Sequence, residues 1–152
     1  MATLSTITAS GLLGPVVALN GWTFVVELWM YATRIPAFNK YKVSLDGTQT
    51  LEQMNAKIPP SVRWKADNYN HLTEQPTQFY AVALALAIIH GTRGTSDALD
   101  TKLAWAYVGA RVVHSLIQCT TNVVMRRFGV FALSSGILAG MTARAASLLW
   151  SK

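Results

Sequence analysis

Residues 61–90 read SVRWKADNYNHLTEQPTQFYAVALALAIIH, and no other segment says as much about the architecture. The stretch follows Pro59-Pro60 and runs to a His90-Gly91 break. From Phe79 to His90 it is apolar or nearly so, whereas Ser61 to Pro76 includes Arg63, Lys65, Asp67, Asn68, Asn70, His71 and Glu74. A helix needs roughly 20 residues to cross a bilayer, and this stretch is long enough. At a rise of about 1.5 Å per residue, the segment from Ser61 to Glu74 covers about 20 Å and carries Glu74 to membrane depth. Asp67, Asn70 and Glu74 fall on one helical face, with Asn68, His71 and Gln75 as the adjacent stripe. A polar face at that depth cannot look at lipid; it lines a bundle interior, a subunit interface or a water-filled cavity. Pro76 is expected to kink the helix and free a backbone carbonyl.

Three further stretches, at about 10–33, 101–122 and 128–150, are also long and apolar enough to span. The 152-residue chain is 51% hydrophobic and only 13% charged, about half the charge of a soluble domain. That composition excludes disorder, and the single cysteine, Cys119, excludes a disulfide scaffold and reads as an inert packing residue. The first stretch contains Asn20 and Glu27 and no clean cleavage site, so it reads as a retained span. No stretch alternates as a membrane barrel strand does. The expected fold is therefore all-α: an integral-membrane, up-down-up-down four-helix bundle forming a single domain over residues 1–152. The net charge of +6 suits basic loops on anionic headgroups, and no basic run interleaved with aromatics points to nucleic acid. The first connection carries Arg34, Lys40, Lys42, Lys57, Arg63 and Lys65, and the third carries Arg126 and Arg127 without an acid. The positive-inside rule places both in the cytosol and the termini opposite.

The third span adds Arg111, His114 and Gln118 on one face, at the same expected depth as the polar half of the second. Asn122, Arg126 and Arg127 extend the cluster to the cytosolic mouth. Glu27 is expected to pair with Arg111, because either charge alone costs about 2.5–3.5 kcal/mol in the membrane. Isolated amides and histidines often act as interhelical glue, but so many converging polar groups point to a polar ligand site. His90 and Gln78, taken singly, read as cap or interface residues. Ala132, Gly136 and Gly140 make a close-packing face, and Arg144 beyond them is expected to snorkel. Arg63, Lys65, Arg111 and Arg127 suit carboxylates; Asn70 and Glu74 suit amide and ammonium groups. Such a set fits a zwitterionic, peptide-like ligand, of which glutathione is one. Nothing suggests a metal site.

Arg34-Ile-Pro-Ala-Phe38, Asn70 with Glu74-Gln-Pro76, and Arg111-Val-Val-His114-Ser, set on four spans, resemble the membrane-associated proteins in eicosanoid and glutathione metabolism (the MAPEG family). The segment from Ala66 to Pro76 looks like a microbial branch of it. The resemblance implies a homotrimer with glutathione bound between subunits on the cytosolic side. It implies binding through Arg63, Lys65, Asn70, Glu74, Arg111, His114, Gln118 and Arg127. It further implies that Arg127 or Arg111 activates the thiol, while His114 and Glu74 orient the cofactor or shuttle a proton. Gln118 stands where such members often have an ionisable Tyr. The expected function is a membrane glutathione transferase or isomerase acting on a small lipophilic substrate. The alternatives are a glutathione-independent acid–base isomerase using Glu74 and His114, or a non-catalytic lipid-binding or scaffold protein of the same fold.

Overall fold

The computed structural model describes Ile7 and residues 10–150. Among them every regular element is a helix: α1 (Leu13–Lys40), α2 (Leu51–Ala56), α3 (Pro60–Glu74), α4 (Thr77–Arg93), α5 (Ala98–Thr120) and α6 (Val124–Trp150). α5 packs along α6 and α3, α1 against α3, α4 and α5, and α4 against α6.

The stretch read as one span from Ser61 to His90 is two helices. Pro60 opens α3 at a position where its missing N–H is harmless. Pro76 cannot donate to the preceding turn, so α3 stops at Glu74 and α4 restarts at Thr77. The break is pinned by the Tyr107 hydroxyl, which donates to Gln75 Oε1 at 3.0 Å. α4 ends at Gly94, whose φ of 65° is left-handed and suits a residue without Cβ.

Other boundaries also move. α1 continues past Thr33 and through Pro36 to Lys40, because Ala37 is buried in a small cluster with Val43 and Ile58. Arg34 Nη2 donates to Asn55 Oδ1 at 3.0 Å and ties the first connection back to α1. Within that connection Thr50 and Gln53 form a reciprocal capping box that starts α2. α6 begins at Val124, so Arg126 and Arg127 belong to its first turn and not to a loop.

The core gathers where α4 crosses its neighbours. Leu19, Val26, Phe79, Ala83, Leu86, Tyr107 and Met141 are fully buried there. Phe79 stacks on Tyr107 with ring centroids 4.5 Å apart. The outer surface is apolar as well: Val17 is 70% exposed and Leu28 68% exposed on α1, and Phe128, Leu133 and Leu149 are exposed on α6. Among the described residues two helices, α1 and α6, are long and apolar enough to cross a membrane, and little of either span is buried in the protein. A core helix of a soluble protein would be mostly covered, so these faces are suited to lipid. α3 and α4 fall short individually, and α5 carries Asp100, Lys102 and Arg111 along its length.

One expected role is overturned. Arg144 does not snorkel: its Nε and Nη2 both bind the Asp100 carboxylate, the Nη2 bond being 3.1 Å. Asp100 is fully buried and is also 2.8 Å from His90 Nε2, while His90 Nδ1 lies 2.8 Å from Thr95 Oγ1. This clamp joins the end of α4, the start of α5 and α6. Nearby, Asp97 accepts from Ser10 Oγ at 2.6 Å and from Gly11 N at 3.0 Å, where a Cβ on Gly11 would meet Thr101 Oγ1 at 2.8 Å.

Candidate functional site

α3, α5 and α6 enclose a cleft of about 480 Å³. α3 contributes Asp67, Asn70, His71 and Glu74, which recur every three or four residues and so share a face. α5 contributes His114 and Gln118, one turn apart. α6 contributes Val124, Arg127, Phe128 and Phe131, again one helical stripe.

The turn between α5 and α6 sets the position of Arg127. Asn122 adopts a left-handed φ of 49°, and its N–H donates to Ile117 O at 2.7 Å, which closes α5. Its side-chain oxygen then accepts from Arg127 Nη1 at 2.8 Å. One residue thus ends a helix and holds the cation of the next helix at the cleft.

Three rings meet at the cleft wall. The His71 ring lies 5.0 Å from that of His114 and 5.6 Å from Phe131, centroid to centroid. His114 is 2% exposed, and its Nδ1 has no hydrogen-bond partner. Gln118 Oε1 is likewise buried and without a partner. The lining combines carboxylates, amides, imidazoles and a guanidinium on one side with Val124, Phe128 and Phe131 on the other. Such a surface can hold a polar, charged ligand beside an apolar one.

Of the residues singled out from sequence, Asn70, Glu74, His114, Gln118 and Arg127 come together in this cleft. Arg63, Lys65 and Arg111 do not line it. Lys65 Nζ donates to its own helix at Ser61 O, 2.7 Å away, and lies 5.5 Å from the Trp29 ring centroid. Arg63 Nε is buried without a partner. Arg111 is fully buried, and none of its three guanidinium nitrogens has a hydrogen-bond partner. The expected Glu27–Arg111 pair does not form. Glu27 accepts instead from Tyr31 Oη at 3.0 Å on its own helix, an i, i+4 contact made without any tertiary packing. Sequence reasoning set Asp67 and His71 on the polar stripes of α3 without giving either a role in the site, and it passed over the three apolar lining residues. Its signal for His71 was present in the stripe with Asn68 and Gln75. Among the described residues no group of His, Cys, Asp and Glu is arranged to hold a metal ion.

An all-helical membrane protein with a charged cleft between three helices is the class that these features define. The model of the MAPEG family matches residues 12–147, and the chain belongs to that family. Comparison with curated proteins gives no match, and comparison with solved structures gives none.

Proposed function

We propose that the protein is a glutathione transferase or isomerase embedded in the membrane and acting on a small lipophilic substrate. Glutathione is commonly used in the MAPEG family, and the charge pattern of the cleft supports its use here. The tripeptide carries two carboxylates, one ammonium and two amides. Arg127 suits a carboxylate, Asp67 and Glu74 suit the ammonium, and Asn70 and Gln118 suit the amides. The volume of about 480 Å³ lies within the range of small-molecule sites. The unpartnered atoms of His114 and Gln118 supply buried polar points for a ligand. When bound, glutathione supplies a nucleophilic sulfur. A guanidinium near it stabilises the charged form of a thiol, which is the role proposed for Arg127. Val124, Phe128 and Phe131 form the apolar wall on which a substrate arriving from the bilayer rests.

In this reading four segments cross the bilayer, α3 and α4 together making the second, and the polar cleft faces the cytosol with the first and third connections. Three chains assemble side by side. The largely uncovered apolar faces of α1 and α6 leave surface for neighbouring subunits as well as for lipid.

The experiment is conjugation of a model electrophile by the purified protein in lipid nanodiscs. Activity is expected only with glutathione and is expected to fall in Arg127→Gln. A thiol-free acid–base isomerase is the second reading, favoured by Glu74 and His114 sharing the cleft. Turnover without glutathione identifies it and removes the first.

A further inference from the structure

Within the glutathione reading, we infer that His71, not His114, is the proton-transfer residue of the cleft. The inference rests on that reading and goes beyond it. Both imidazoles border the cavity, but they differ in access. His114 lies 2% exposed beneath its neighbours, whereas His71 is half-buried and opens into the cleft. His71 is also the middle ring of three, with His114 at 5.0 Å and Phe131 at 5.6 Å, while His114 and Phe131 are 6.2 Å apart. A catalytic side chain needs an orientation fixed by packing, and contact with both rings provides it. Asp67 and Glu74 stand one turn to either side of His71 on α3, His114 faces it from α5 and Arg127 lines the same cleft from α6. An acceptor for a proton thus lies beside the cation that suits the charge left behind.

The step balances with the two reactants alone. In addition to an activated alkene, the S–H bond and the alkene π bond break, and an S–C and a C–H bond form. His71 takes the proton on a ring nitrogen and returns it to the adjacent carbon, so no oxidant, reductant or leaving group is needed. His114 is then a positioning residue that holds the His71 ring.

His71→Gln keeps a polar side chain of similar reach and removes the titratable ring. Calorimetry with glutathione, ultraviolet difference absorption of the bound thiolate, and turnover of an activated alkene would be measured on the full chain in nanodiscs. Glutathione affinity is expected within about twofold of the parent. The thiolate band at neutral pH is expected to weaken, because the imidazolium paired with the thiolate is gone while Arg127 remains, and turnover is expected to fall about 100-fold, the lower range for acid–base catalysis. His114→Gln is expected to retain the band at reduced amplitude. An unchanged band and turnover in His71→Gln, with binding retained, overturn the inference and leave the glutathione reading standing. Absence of any glutathione heat in the parent protein overturns both.

Discussion

Asn122 does two things at once, and two substitutions separate them. Its left-handed φ of 49° costs an ordinary L-residue about 1–2 kcal/mol, and glycine much less. Its side-chain oxygen also holds Arg127 Nη1 at 2.8 Å. Hydrogen bonds to charged groups contribute about 1.5–3 kcal/mol, and partial exposure of both residues places this one near about 1.5. Asn122→Gly removes the bond while tolerating the backbone. Asn122→Ala removes the bond and adds strain. The glycine variant is therefore expected to lose about 1.5 kcal/mol of stability and the alanine variant about 2.5 kcal/mol. Both release Arg127 from its anchor, so both are expected to bind glutathione about tenfold more weakly, the equivalent of about 1.4 kcal/mol. The assays are reversible unfolding in mixed detergent micelles and titration calorimetry. Equal stability of the two variants would refute the backbone reasoning. Parent-like glutathione affinity in both would refute the role of Asn122 in positioning Arg127.

Asp100→Asn strips the charge from the clamp between His90 and Arg144 and is expected to cost about 2 kcal/mol in the same unfolding assay, below the range for a fully buried pair because the Arg144 side chain is 37% exposed. A loss below about 0.5 kcal/mol would mean that the clamp contributes nothing. Phe79→Ala opens a cavity against Tyr107 at a fully buried site and is expected to cost about 3–5 kcal/mol, read from the unfolding midpoint. In the first connection, the Thr48 hydroxyl and N–H donate to Asp46, at 2.6 and 3.0 Å, and hold its carboxyl down at about 2. A lowered folded value gives a stabilisation that is full above the ordinary carboxylate range and lost as pH falls through about 2. The protection of the Thr48 amide, its exchange rate relative to the intrinsic rate at each pH, is accordingly expected to stay constant down to pH about 4 and to fall below it, and Asp46→Asn should abolish that dependence.

What could be seen in the residues beforehand was periodic or local. The polar stripe Asp67, Asn70, Glu74 and the pair His114, Gln118 follow from helical spacing, and the structure sets them across one cleft. Pro76 interrupts its helix because a missing N–H acts without tertiary context. The Thr50–Gln53 capping box was equally local, yet it lay in a polar loop where no apolar run drew notice. The clamp was hidden for a different reason. Asp100 and Arg144 are 44 residues apart, and Asp100 reads as one acid in a charge-balanced connection until α5 is seen to start at Ala98. Glu27 and Arg111 show the converse error. Desolvation cost gives each a need for a partner but does not choose one, and the nearby Tyr31 satisfied Glu27 first. His71 stood on a polar stripe but drew no site role, because a ring on a mixed stripe acquires meaning only from the two rings that enclose it.

Titration of the nanodisc-embedded protein with glutathione, alongside Arg127→Gln, tests the central claim most directly. Saturable heat in the parent, with affinity falling at least tenfold in the variant, is the predicted result. No heat at millimolar glutathione, or the same affinity in both proteins, would contradict it.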